Sequence, residues 1–209
     1  MPVHAVEVGG LRAWVSETPH APVAPNVDRA REHDRVVRAA MEVETPLPAR
    51  FGQVVADHAA LEHVVASRRE ELAAALESVS GAVEMTVRVR IPVPPPAASS
   101  PDPASAEGRG RRYLERVAAA HRREQNVLAE QQVVRERVRR AVGPLVRADA
   151  FAGPSAGSDV ASLSHLVPRD RITAYRSAIQ ALRVDNPALS IRVTGPWAPY
   201  SFTQVSAHE

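Results

Sequence analysis

A chain of 209 residues and 22.5 kDa with 44% hydrophobic content can fill one large core or two small ones, and it has no cysteine, which excludes disulfides, thiolate metal sites and a cysteine nucleophile. All 26 basic residues are arginine, against 24 acidic ones; the pI of 9.6 reflects guanidinium groups titrating above about pH 12, not a large field at pH 7, so it does not single out nucleic acid as a partner. No run approaches the ~18 apolar residues of a membrane span and the N-terminus has no leader pattern, so a cytoplasmic protein is expected. In chain order, Val3 to Val8 and Leu11 to Ser16 are β-prone runs around Gly9-Gly10, a pair suited to a tight hairpin. Trp14 shares a face with Arg12 and Ser16, which predicts incomplete burial. Three prolines in Thr18 to Pro25 make a loop. Asn26 is a candidate N-cap for an amphipathic helix carrying Ala30, His33, Val36, Val37, Ala40 and Met41.

Thr45 to Val55, with Pro46, Pro48 and the triplet Arg50-Phe51-Gly52, reads as a strand bent at its start and loosened at Gly52. Arg50 in an apolar run either pairs with a carboxylate, caps carbonyls or meets a partner. Asp57 then caps one long helix, its stripe running Leu61, Val64, Val65, Leu72, Leu76 and Val79, with Gly81 at its stop. Ala82 to Ile91 alternates as a strand, with Val83, Met85, Val87, Val89 and Ile91 on one face and Glu84, Thr86, Arg88 and Arg90 on the other. Pro92 to Ser105, six of whose fourteen residues are proline, cannot form a core and reads as an extended linker.

From about Arg109 to Val142 runs the longest helical pattern, its stripe including Leu114, Val117, Val127, Gln131, Val134 and Val138. Its arginines could meet phosphates, but Tyr113 is its one aromatic and interspersed glutamates reduce the field. After Pro144, Leu145 to Ala152 and Val160 to Val167 read as strands. Between them, Gly153 to Gly157 spells the G-x-S-x-G of a nucleophile elbow around Ser155. A strand-like run follows it where that elbow needs a helix. Pro168 opens a helix with Ile172, Tyr175, Ile179 and Leu182 on one side, broken at Asn186-Pro187. Leu189, Ile191 and Val193 lead into Thr194-Gly195-Pro196-Trp197-Ala198-Pro199-Tyr200-Ser201-Phe202. Aromatic content is only 4%, and this stretch concentrates it on a proline-stiffened segment, either as a core plug or as an anchor for a partner.

The run from Ile191 to Phe202, with Ser164 to Pro168 upstream, resembles the C-terminal signature of the gas vesicle GvpL/GvpF family, Ala198 standing where that family usually has proline. Leu47 to Gly52 and Gly110 to Leu114 resemble two further family segments. The resemblance makes Arg50, Phe51, Gly52, Tyr113, Gly195, Pro196, Trp197, Tyr200 and Phe202 the candidate partner-contact or family-motif residues. It implies a non-catalytic accessory protein, located in the cytoplasm and at the gas vesicle, that binds the hydrophobic shell subunit and other accessory proteins during nucleation and assembly. Members usually open with one more strand than this sequence has.

The fold expected is α+β in two domains. An incomplete ferredoxin-like domain spans 1–91, a Pro-rich linker 92–108, and a ferredoxin-like βαββαβ domain with one long helix 109–209, whose sheet shares strand 82–91. The missing strand would leave a sheet edge open near Val3 to Val8. No residue pattern suggests a catalytic pair, a metal cluster, a phosphate loop or a cofactor, and no nucleic acid, membrane or small-molecule substrate is expected as a partner. A ferredoxin-like nucleic-acid-binding module and a serine hydrolase using Ser155 are the alternative readings.

Overall fold

The computed structural model describes residues 2–18, 26–91, 106–151 and 160–203. The Pro-rich stretch from Pro92 to Ser105 and the Ser155 motif lie outside them. Among the described residues the order is β1 (His4–Val8), β2 (Leu11–Val15), α1 (Val27–Val43), α2 (His58–Ser67), α3 (Arg69–Val79), β3 (Ala82–Arg90), α4 (Ala106–Val142), β4 (Ala148–Phe151), β5 (Val160–Pro168), α5 (Ile172–Asp185) and β6 (Ser190–Trp197). Short 3-10 turns occupy Gly143–Leu145, Arg169–Arg171 and Tyr200–Phe202. This is an α+β fold with two sheets. The hairpin β1-β2 forms one, and the other has the order β4-β5-β3-β6. The chain divides into two compact units, one of 1–85, 166–169 and 195–209, the other of 86–165 and 170–194.

In the first unit, β1 and β2 pair antiparallel from His4 with Val15 to Val8 with Leu11. Gly9 and Gly10 supply φ of +58° and +77° at the turn, values that glycine adopts without the steric penalty of a Cβ. Val8 is buried while Trp14 is half-exposed, as the alternation predicts. The hairpin is tied to α3 by the Arg69 Nε–H, which donates to the Gly9 carbonyl at 2.7 Å. Asn26 caps α1 by accepting from the Asp28 N–H at 2.8 Å, and Asp57 caps α2 by accepting from the Ala60 N–H at 2.8 Å.

Two expectations fail in this unit. Residues 45–55 form no strand: Pro46 and Pro48 lack ladder donors, and the chain turns at Phe51-Gly52, with Gly52 at φ +89° and the Gln53 N–H bonded to the Arg50 carbonyl at 3.3 Å. The helix expected to run unbroken from Asp57 is instead two, separated at Arg68, whose φ and ψ are −122° and 16°. Local hydrogen bonds explain the break. At the joint the Arg68 N–H turns to the Val65 carbonyl at 3.3 Å, a tightened last turn, the Ser67 hydroxyl donates to the Val64 carbonyl at 3.0 Å, and the Arg68 guanidinium makes two bonds to the Glu71 carboxylate at 3.0 and 3.3 Å.

The start of β3 is also more enclosed than alternation predicts. Ala82, Val83, Glu84 and Met85 are all buried, and the in-out pattern begins only at Thr86. The Thr45 hydroxyl donates to the Ala82 carbonyl at 3.2 Å, the Arg169 N–H donates to the Gly81 carbonyl at 3.0 Å, and the Arg169 guanidinium reaches the Met41 carbonyl at 2.7 Å.

The second unit holds most of the four-stranded sheet together with α4 and α5, which pack against each other. Gln131, Val134, Val138 and Val142 are the buried face of the last third of α4, and Tyr175 and Ile179 that of α5. The Arg137 guanidinium donates to the Asn186 side-chain carbonyl at 3.3 Å where α5 ends. Leu114 and Val117, placed on the same stripe by the sequence, are exposed.

Candidate functional site

The aromatic segment at the end of β6 is held within the first unit by backbone and carboxylate contacts. Gly195 has φ +114° and joins Pro196 through a cis peptide. A Cβ at Gly195 would lie 2.7 Å from the Glu84 carbonyl oxygen and 2.9 Å from the Met85 sulfur, so no other residue fits without displacing β3. Ala198 and Pro199 are buried. The next turn is held by Glu84, a residue only 6% exposed, whose carboxylate accepts from the Ser201 N–H at 2.8 Å and from its hydroxyl at 2.7 Å.

On this mount, Trp197 and Phe202 are half-buried and Tyr200 is 39% exposed. The Arg38 guanidinium of α1 lies 4.6 Å from the centre of the Trp197 ring and donates to Asp34 at 2.7 Å, so the cation is held over the indole face by its own helix. Burial raises the Tyr200 phenol above its ordinary pKa, with Asp34 adding to the shift and Arg38 opposing it. Together these side chains form a half-open ledge with aromatic bodies and polar tips, suited to holding an apolar surface in register.

Helix α1 also carries the second motif. The His33 Nε2–H donates to the Ala49 carbonyl at 3.2 Å, and its ring meets Phe51 edge-on at a centroid distance of 5.9 Å. Phe51 remains 37% exposed, Arg50 is exposed and Gly52 forms the turn. Thus Arg50, Phe51 and Gly52 and the group Gly195, Pro196, Trp197, Tyr200 and Phe202 are both attached to α1, within one unit. Tyr113 belongs to the other unit, exposed on α4. Arg38, Asp34 and Glu84 were not singled out by sequence, because nothing in the local pattern distinguishes them from solvated charges.

The second unit contains a buried polar pair. His165 Nδ1 is hydrogen-bonded to the Tyr175 hydroxyl at 2.7 Å, and burial depresses the imidazole pKa to about 4, against a smaller opposing effect of Asp149. Burial also pushes the Tyr175 phenol upward. His165, Arg139, Arg147 and Asp149 border a cavity of about 210 Å³, and Asp149 is paired with Arg135 at 3.5 Å. Among the described residues no group of three His, Cys, Asp or Glu is placed to hold a metal ion, and no helix is long and apolar enough to cross a membrane.

The model of the gas vesicle synthesis protein GvpL/GvpF family matches residues 1–204. The chain belongs to the GvpL/GvpF family. It is 28% identical to gas vesicle protein F of Streptomyces sp. (strain CB03234) over 218 residues, covering 97% of this chain and 88% of the relative. It is 27% identical to gas vesicle protein L of the same strain over 191 residues, covering 87% and 71%. Its fold is shared with crystal structures of GvpF from Anabaena sp. PCC7120 and from Microcystis aeruginosa. Both have a TM-score of 0.76, at 17% and 18% identity, covering 98% of this chain and 88% and 89% of those chains. In this GvpL/GvpF chain, the ledge around Trp197 and the loop at Arg50 to Gly52 both contact helix α1.

Proposed function

We propose that this GvpL/GvpF protein is a non-catalytic accessory factor of gas vesicle formation. In the cytoplasm and at the growing vesicle it binds the apolar shell subunit, and other accessory proteins, during nucleation and assembly. The observation that carries the proposal is the ledge of Trp197, Tyr200 and Phe202, half-open yet anchored through Gly195 and Ser201 to buried β3. A subunit that will face gas must be kept from aggregating in water. Rigid aromatics with polar tips offer contact area at low entropic cost and commonly act as binding hot spots. Nucleic acid, membrane and small-molecule substrates have no part in this role.

The fold reading that accompanies it is of two α+β halves, 1–91 and 109–209, joined by 92–108 and sharing strand 82–91. The order β4-β5-β3-β6 supports a ferredoxin-like βαββαβ arrangement for the second half, since its first and third strands are central and its second and fourth are edges. The outer edge of β1 is a second surface on which an added strand of a partner could pair.

Co-expression with a gas vesicle shell subunit, followed by affinity capture, tests the role. The subunit is expected to stay soluble and to be captured with this chain. A folded protein that captures no subunit and leaves it insoluble overturns the shell-binding reading.

A further inference from the structure

His165 shares the buried face of β5 with Ala161, Leu163 and Val167 and is only 1% exposed. Tyr175 of α5 is fully buried, and among the described residues its hydroxyl has one hydrogen-bond partner, His165 Nδ1 at 2.7 Å. A buried phenol O–H has to be given to an acceptor, so it donates to Nδ1, and the proton of the neutral imidazole stands on Nε2. That Nε2–H has no partner among the described residues and is not sealed in by protein. It opens onto the cavity of about 210 Å³ that His165 borders.

The rest of the wall decides what this donor can meet. Arg139 near the end of α4 and Arg147 beside β4 both border the cavity, and Arg139 has no hydrogen-bond or ion-pair partner among the described residues. Asp149 is the one carboxylate of the wall, and Arg135 holds it at 3.5 Å. With Arg135 counted, three arginines stand against one carboxylate, an excess of two positive charges. A cation is disfavoured there, and an Nε2 that carries its proton cannot ligate a metal ion. Val142, Val146 and Ala148 supply an apolar part of the wall. A cavity of about 150 Å³ takes benzene, so this one has room for roughly eight or nine heavy atoms, more than a bare inorganic anion fills.

We propose that this cavity binds a small organic anion, a carboxylate or phosphate head on an apolar body of about six carbons. The head takes the Nε2–H of His165 and the guanidinium of Arg139, and the body lies against Val142, Val146 and Ala148. The ligand is held, not transformed. All these residues belong to the second unit and the aromatic ledge to the first, so this site and the shell-binding role are tested separately.

The test is calorimetric titration of the full-length protein at neutral pH with three probes: benzoate, phenyl phosphate and the uncharged benzyl alcohol. The two charged probes separate a carboxylate head from a phosphate head. At least one of them is expected to bind with a Kd of about 1 mM or tighter, and about tenfold or more tightly than benzyl alcohol. The His165 ring signal in nuclear magnetic resonance, identified by its loss in His165→Gln, is expected to shift as the site fills. Arg139→Gln, at an exposed position, is expected to keep the circular dichroism spectrum and to weaken binding by about tenfold or more. A folded wild type that binds neither charged probe up to about 10 mM, or that binds benzyl alcohol equally well, overturns the proposal. Binding that survives Arg139→Gln and leaves the His165 signal unmoved also overturns it, since the anion then sits elsewhere on the arginine-rich surface.

Discussion

The carboxylate of Glu84 grips Ser201 twice, taking its backbone N–H at 2.8 Å and its hydroxyl at 2.7 Å across 117 residues of chain. A buried acid on a central strand thereby sets the position of the aromatic segment that follows β6. Two charge-assisted hydrogen bonds satisfy the acid, and without them its burial would be costly.

Removing the carboxylate unties that segment. Glu84→Ala is expected to lower unfolding stability by about 3 kcal/mol in urea denaturation, since the Ser201 N–H also loses its acceptor. Ser201→Ala keeps the backbone bond and should cost about 1 kcal/mol. Equal losses for the two variants would contradict this division.

At Gly195 a side chain has neither the backbone conformation nor the space it needs. Gly195→Ala, with φ at +114° and a Cβ 2.7 Å from the Glu84 carbonyl oxygen, should destabilise by about 2–4 kcal/mol. Thermal unfolding within about 1 °C of wild type would be inconsistent with the close approach described for this residue.

The ledge itself separates stability from binding. Trp197→Ala and Arg38→Ala are expected to retain the circular dichroism spectrum of the wild type and to reduce capture of the shell subunit by about tenfold or more. If Trp197→Ala is folded and captures the subunit undiminished, the aromatic contact is not the binding surface.

His165 makes stability depend on acid. Its folded pKa of about 4 lies below the value of 6.5 taken for an unperturbed histidine. The unfolded chain therefore binds a proton that the folded chain refuses. The stabilisation is complete above about pH 6.5, falls as pH drops toward 4, and amounts to about 3 kcal/mol over that interval. The difference in unfolding free energy between wild type and His165→Gln, followed from pH 7.5 to 4.5, should narrow by that order. A difference independent of pH would show that the imidazole is not held neutral.

Much of this fold was legible locally. Gly9-Gly10 announced the hairpin, Asn26 and Asp57 announced helix starts, the alternation of Val87 and Val89 with Arg88 and Arg90 announced β3, and the spacing of Ile172, Tyr175 and Ile179 announced α5. Each rests on periodicity or on a capping group within a few residues, which a sequence displays directly. The stretches Arg50 to Gly52 and Gly195 to Phe202 were likewise visible in the sequence as glycine and aromatic residues gathered near proline.

Tertiary structure alone decided the rest. Glu84 had the place of a solvated charge in an alternating strand, and it is buried because Ser201 returns from the far end of the chain to satisfy it. Arg38 and Asp34 looked like the polar face of α1 until Trp197 was laid beneath the guanidinium. The break at Arg68 has no glycine or proline to mark it, and the stretch from Thr45 to Val55 forms a turn at Phe51-Gly52 in place of a strand. For Glu84 and Arg38 the deciding partner is a hydrogen bond or ring contact whose presence depends on where residues more than a hundred positions away finish, and no window of sequence contains it.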